Sequence, residues 1–363
     1  MTTRNDKIDV IVPFLLPPFL GGTETVLKTL YDLSDEEMGL RYILPFAVKD
    51  HPLLPVFDGK NTEQIITPIR FNNLTLVKLW GIVYLLFFML RPSTKYVVIL
   101  SPKYIKYASM INKVRRRKLV IISWLHFSLT HEFTDVKEIF LLADYHLAIS
   151  TGIKRQLVEI GVPEQRIFVI YNPIFKKEKT ILHPETAEFV YTGRMQIGHQ
   201  KNLEELIEAL TLIGDANWHF TFIGDGIDMN AIQTKVHENG LQDKITFAGW
   251  VKDPWVEMPA ISASILTSKY EGLPMALLEA ISYGVPVIAP DIPTGPEDVI
   301  SPDNGYLYEA GNVRQLANDM LDLIDNPDKF VPLKVKESIQ KFYISAYYDT
   351  LQAAWTVIRR DEE

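Results

Sequence analysis

The sequence predicts an α/β protein built from two parallel-sheet domains. Three observations carry that expectation. Short apolar strand patterns alternate with helical ones along the chain, and alternating βα units give parallel sheets. The chain has 363 residues, beyond the size that a single hydrophobic core serves. A charged stretch without apolar periodicity, at about 173–186, divides the series, giving expected domains 1–172 and 173–344 with a final helix after them.

Composition narrows the function classes. The chain is 47% hydrophobic and 23% charged, which suits globular cores. A net charge of −8 gives no field that would attract nucleic acid, and none is expected as a partner. There are no cysteines, which excludes disulfides and thiolate metal sites. MTTRNDKIDVIVPF carries no signal-peptide apolar region before its first strand, so a cytoplasmic protein is expected.

In the first half, 8–14 reads as a strand, followed by Gly21-Gly22 and a helix over 23–33. A strand, glycine turn and helix start suits a phosphate, and equally suits a plain turn. Residues 42–48 and 64–69 read as short strands. Residues 79–90 are wholly apolar, too short to span a bilayer, and flanked by Lys78 and Arg91. A basic cluster follows at Lys113, Arg115, Arg116, Arg117 and Lys118. It is either a solvated loop or a match for anionic headgroups. Together, 79–91 and 113–118 point to peripheral membrane contact, at the inner face of the cell membrane. KLVIISW (118–124) is a buried strand that places His126 just past its carboxyl end, where ligands bind in open α/β sheets. YHLAIS (145–150) and 167–172 are the next strands, with a helix between them.

The second half opens with a strand at 188–192, then Gly193, Arg194, Lys201 and an amphipathic helix carrying Leu203, Leu206, Ile207 and Leu210. An Arg and a Lys converging on a helix mouth suit a diphosphate, neutralising the charge that builds on a phosphate leaving group. The spacing from Gly193 to Gly198 mimics a P-loop, but His199-Gln200 stand where Lys and Ser/Thr are needed. FTFIGDG (220–226) is a strand and turn, and Met229 at the third glycine position argues against a dinucleotide fingerprint. ITFAGWV (245–251) and SILTS (264–268) are further strands. In SKYEGLPMALLEAISYGVPVIAP (268–290), Pro274 suits the first helical position and Gly284 the helix stop. Glu271 precedes this helix, and Glu279 lies five residues into it, about 7–8 Å along the axis at 1.5 Å per residue. A diphosphate at the helix mouth would bring its ribose to Glu279 and its other substituent to Glu271. From spacing alone, two ordinary solvated acids fit as well.

EGLPMALLEAISYGVPVIA resembles the E-x7-E signature of retaining glycosyltransferases of the GT-B fold, glycosyltransferase family 4, including Gly272, Pro274, Gly284 and Pro286. The resemblance implies two Rossmann-like domains facing across a cleft, with a terminal helix (345–363) returning to the first. It implies that Arg194, Lys201 and Gly193 hold the donor diphosphate and that Glu279 holds the ribose. Phe247 to Val251, Gly249 included, would meet the nucleobase mainly by backbone and stacking. Glu271 and the Gly272 and Leu273 amides would position the sugar, His126 would touch it, and Gly22 belongs to a glycine loop facing donor or acceptor. Asn172-Pro173 resembles the segment closing the first domain, with Ile174 in place of the usual glycine. The Arg-to-Lys spacing is longer than usual, implying an insertion at Gly198-His199, and Thr294-Gly295-Pro296 resembles lipopolysaccharide-core and capsule enzymes.

The implied function is retaining transfer of a hexose from a nucleotide-diphosphate sugar, UDP favoured, to a glycan or lipid-linked glycan in cell-surface polysaccharide synthesis. Neither metal nor cofactor is expected. The fold also admits a UDP-sugar 2-epimerase, a non-catalytic subunit that binds glycan or protein, and a membrane-docking scaffold.

Overall fold

The computed structural model describes residues 7–12, 22–33, 39–45, 62–64, 74–132 and 137–362. The chain divides into two units. The first takes the described residues of 1–149, 153–170 and 350–363, and the second takes 150–152 and 171–349. Several strand patterns read from sequence, such as 145–150 and 167–172, are shorter in the structure because pairing ends where the chain turns, while 188–192 gains one residue.

The first unit holds β1 (Ile8–Ile11), β2 (Leu40–Leu44), β3 (Thr62–Gln64), β4 (Tyr96–Ile99), β5 (Val120–Leu125), β6 (Tyr145–Ala148) and β7 (Ile167–Val169). They form one seven-stranded sheet in the order β3-β2-β1-β4-β5-β6-β7, with every pairing parallel. The second unit holds β8 (Ala187–Thr192), β9 (Trp218–Ile223), β10 (Ile245–Gly249), β11 (Ala263–Ile265), β12 (Val287–Asp291) and β13 (Gly305–Glu309). These make a six-stranded parallel sheet in the order β10-β9-β8-β11-β12-β13. Central strands such as β4 and β5 are buried at every position, as a sheet covered on both faces requires.

Each order reverses direction once, between β1 and β4 in the first unit and between β8 and β11 in the second. Loops leaving neighbouring strands part company at such a point and open a crevice beyond the carboxyl ends. Arg194 and Lys201 follow β8, and Glu271 follows β11. The topology therefore delivers residues 70 positions apart to one crevice.

Some expectations need correction. The apolar stretch expected over 79–90 is part of a longer helix, Leu74–Leu90, and residues 13–14, 46–48 and 65–69 of three expected strands lie outside the described residues. No helix among the described residues is long and apolar enough to cross a membrane. The terminal helix runs Ile344–Asp361. Its start groups with the second unit and its residues from Thr350 onward with the first.

Candidate active site

The crevice of the second unit is built on glycine backbone. A Cβ on Gly224, just past β9, would lie 1.9 Å from the Gly193 carbonyl oxygen, so only glycine fits. The Gly193 N–H donates to the Ile223 carbonyl at 2.9 Å, and the Gly224 N–H donates to that of Gly249 at 2.8 Å. The ends of β8, β9 and β10 are thereby tied together.

The loop from Arg194 to Lys201 is fastened to the one that follows β11. The Tyr191 hydroxyl donates to the Arg194 carbonyl at 2.8 Å. The Lys269 N–H donates to the Gln200 carbonyl at 2.9 Å, and the Gln200 amide donates to the Tyr270 carbonyl at 3.1 Å. The Thr267 hydroxyl donates to the Lys201 carbonyl at 2.9 Å. Sequence reading treated Gly198-His199 as an insertion. The structure shows the loop around it laced in place, with Lys269 donating to the Gly198 carbonyl at 3.1 Å.

The two cations are held differently. Lys201 Nζ donates to Glu271 Oε1 at 2.6 Å, with the two side chains 16% and 10% exposed. Arg194 is exposed and donates to Gln200 Oε1 at 2.7 Å. Lys201 was expected on a diphosphate and Glu271 on a sugar, and the structure joins them to each other. The pairing is physically sensible, because a buried carboxylate without a partner is costly. It also keeps the ammonium at the crevice, where an anion can compete for it.

Glu271 lies in a loop capped by the turn at 294–296. The Thr294 hydroxyl donates to the Glu271 carbonyl. Gly295 sits at φ 99, where a Cβ would meet Pro274 at 2.8 Å. Gly272 and Leu273 are buried between them. The helix expected to include Pro274 begins one residue later, at Met275, and Pro274 is its cap. It ends as expected at Gly284, whose φ of 88 suits the residue after a helix.

Glu279 is the fifth residue of the helix Met275–Ser282. Burial raises its carboxyl from 4.5 to about 7, helped by the charge of Asp253 and opposed by Lys177 and the Trp255 indole. Trp255 is buried and stacks with Tyr283 at 6.2 Å, and Lys177 Nζ lies 5.3 Å over the Tyr283 ring. Sequence reading missed Lys177, Asp253, Trp255 and Tyr283, because none lies at a motif spacing from Glu279. The only signal was the unusual KDPW run after β10. A carboxyl raised this far gains from neutral donors such as hydroxyls, which favour its charged form.

Past β10, Gly249 sits at φ 69 with a register shift before it. Phe247 was expected to help meet a nucleobase. It is instead stacked on Phe222 at 5.2 Å, with the rings 9° from parallel, so it belongs to the sheet. Trp250 is the available aromatic, 69% exposed, beside half-buried Val251.

The first unit places His126 directly after β5 and buries it to 7% exposure, with its ring 4.7 Å from Trp124. Burial lowers its pKa to about 3, so it is neutral at physiological pH. Its Nε2 has no hydrogen-bond partner among the described residues. It can therefore serve as a neutral hydrogen-bonding group and not as a general acid. Gly22 opens the helix Gly22–Leu33, while Gly21 lies outside the described residues. The basic cluster is smaller than its sequence suggests. Arg115 caps the helix Leu74–Leu90, donating to the carbonyls of Met89, Arg91 at 3.1 Å and Thr94 at 2.7 Å. Lys118 pairs with Asp144 at 2.9 Å and Glu362 at 3.1 Å. Lys113, Arg116 and Arg117 remain exposed.

Residues 186–326 match the family described as glycosyl transferases group 1. The lipopolysaccharide 1,6-galactosyltransferase of Escherichia coli strain K12 is 39% identical over 253 residues, covering 68% of this chain and 70% of that protein. The apo structure of the lipopolysaccharide outer core galactosyltransferase WaaB matches with a TM-score of 0.82 at 29% identity, covering 97% of this chain and 99% of that one. Anabaena HepE, solved with UDP, shares the fold, with a TM-score of 0.78 at 17% identity over 97% of this chain and 100% of that one. The chain is a glycosyltransferase of the GT-B fold and belongs to the glycosyl transferases group 1 family.

Proposed function

We propose that the chain transfers galactose, with retention of configuration, from UDP-galactose to a lipopolysaccharide-type glycan. The observation that carries this reading is the Lys201–Glu271 pair at 2.6 Å, held at the β8/β11 crevice, with Arg194 bonded to the adjoining Gln200. In the proposed step the bond from sugar C1 to the UDP oxygen breaks. The acceptor oxygen bonds C1 from the same face, and its proton passes to the departing phosphate oxygen. Lys201 turns from Glu271 to the diphosphate, joined by Arg194 and the Gly193 backbone, and stabilises the growing charge. Glu271, released, accepts from a sugar hydroxyl, and the Gly272 and Leu273 amides orient the sugar. Glu279 accepts from the ribose hydroxyls. Gly249, Trp250 and Val251 receive the base, while the family resemblance assigns Gly22 to the donor and the buried Nε2 of His126, without a partner among the described residues, to a sugar hydroxyl. The cation pair supplies the positive charge that a metal would supply elsewhere, so turnover proceeds without metal.

The acceptor's lipid anchoring fits the first unit. The helix Leu74–Leu90 exposes Leu76, Leu79, Trp80, Val83, Phe87 and Leu90 on its outward side, with Phe87 67% exposed. Exposed apolar side chains together with the exposed Lys113, Arg116 and Arg117 of the same unit suit an anionic bilayer surface.

The test is UDP-galactose consumption with lipopolysaccharide lacking its outer core as acceptor, followed by NMR of the product anomer. Galactose transferred with its α-configuration kept supports the reading. Conversion of UDP-galactose into another UDP-sugar without acceptor would replace it with epimerisation, and an inverted anomer would remove the proposed step.

A further inference from the structure

Between Lys201 and the helix Leu203–Leu212, the backbone makes one unusual turn. Asn202 sits at φ 49 and ψ 45, the one non-glycine in the left-handed region among the described residues. Asn tolerates that region better than most residues, but still needs holding there. The holding group is buried acid. The Asn202 side-chain amide donates to Glu205 Oε2 at 2.6 Å, and the Tyr308 hydroxyl on β13 donates to Glu205 Oε1 at 2.7 Å. Asn202, Glu205 and Tyr308 are 8%, 9% and 0% exposed. Burial pushes the Glu205 carboxyl above its ordinary range, and the bonds from Tyr308 and Asn202 pull it back. An apolar residue at 205 would anchor the helix without this desolvation, so helix packing alone does not explain an acid there.

The turn these residues hold follows directly on Lys201. The Lys201 carbonyl is held by Thr267 at 2.9 Å, and its ammonium reaches Glu271 at 2.6 Å. We propose that Asn202, Glu205 and Tyr308 form a buried bracket that aims the Lys201 ammonium at the donor diphosphate, which makes them positioning residues for the transfer. The inference rests on the role given to Lys201 above. A bracket from β13 matters because a long, flexible lysine gains directed binding only if its backbone is fixed.

The test is a mutant cycle read by calorimetric binding of UDP alone, with melting temperature followed in parallel. Tyr308→Phe removes one hydroxyl, and Lys201→Gln removes the charge while keeping a donor to Glu271. Tyr308→Phe should weaken UDP binding by about fivefold in the wild-type background and by less than about twofold in Lys201→Gln, because coupled residues are non-additive. Asn202→Ala, strained in the left-handed turn, should weaken binding by about tenfold, and Asn202→Gly should recover most of that loss because glycine adopts the turn freely. Equal losses from Tyr308→Phe in both backgrounds, or full binding by Asn202→Ala, would overturn the bracket while leaving Lys201 its role. Wild-type UDP binding by Lys201→Gln would instead remove the role of Lys201, and the bracket with it.

Discussion

Glu279→Gln separates stability from function at the site. The substitution keeps the shape and removes the charge. The native carboxyl titrates at about 7, against an ordinary value of 4.5. Between those values the folded state holds a proton that the unfolded state has released, so stability falls as pH rises through this window. Above pH 7 the charged carboxylate therefore costs the fold up to about 3 kcal/mol, from some 2.5 units at 1.36 kcal/mol each. Glu279→Gln should be more stable than wild type at pH 8 and equal to it at pH 4. The gain in melting temperature at pH 8 should be several degrees, at about 2–4 °C per kcal/mol for a unit of this size. Donor binding should respond in the opposite sense. If ribose hydroxyls bind the ionised form, wild-type affinity for UDP-galactose should fall about tenfold from pH 8 to pH 6, since the ionised fraction falls about that much around a pKa of 7. UDP-galactose suits this assay, because its diphosphate carries no free terminal group titrating in that range. The glutamine variant should bind weakly and without this pH dependence. Thermal unfolding and calorimetry at both pH values decide the matter. A glutamine variant no more stable than wild type at pH 8, or one that keeps the pH dependence, would refute the reasoning.

Other outcomes follow from the same geometry. Arg194→Ala should lower turnover by more than about tenfold, as loss of a transition-state charge partner does, with little change in melting temperature because the side chain is exposed. His126→Phe should lower kcat/KM, while the wild-type profile shows no titration of this ring between pH 5 and pH 8, because burial holds its pKa at about 3. Phe87→Glu should abolish flotation with anionic liposomes and leave UDP binding unchanged. Turnover should persist in excess EDTA, and its loss there would show that the cation pair does not suffice.

The parts legible from sequence were those whose physics is local. The helix stop at Gly284 follows from one residue's freedom at φ 88. Buried strands such as β5 announce themselves by short, almost wholly apolar runs, here interrupted only by Ser123. Glu271 and Glu279 could be read together because one short loop and helix join them. The site's couplings were not legible, because the sheet creates them. Lys201 meets Glu271 across 70 positions only because β8 and β11 are neighbours. Asp253 and Lys177 reach Glu279 from a loop and from the charged stretch read as a linker. That stretch is anchored: buried Lys336 donates to the carbonyls of Lys177 at 2.6 Å and Lys179 at 3.1 Å. The charge cluster at 113–118 shows the reverse error. Counting cations along the chain overstated the free charge, because Arg115 closes a helix end and Lys118 is paired.

The most direct test is a crystal structure of the protein with UDP-galactose. The diphosphate should lie within about 3 Å of Lys201 Nζ and of the Arg194 guanidinium, with the ribose on Glu279 and the Lys201–Glu271 bond broken. A nucleotide bound away from the β8/β11 crevice, or bound there with Lys201 still on Glu271, would contradict the account.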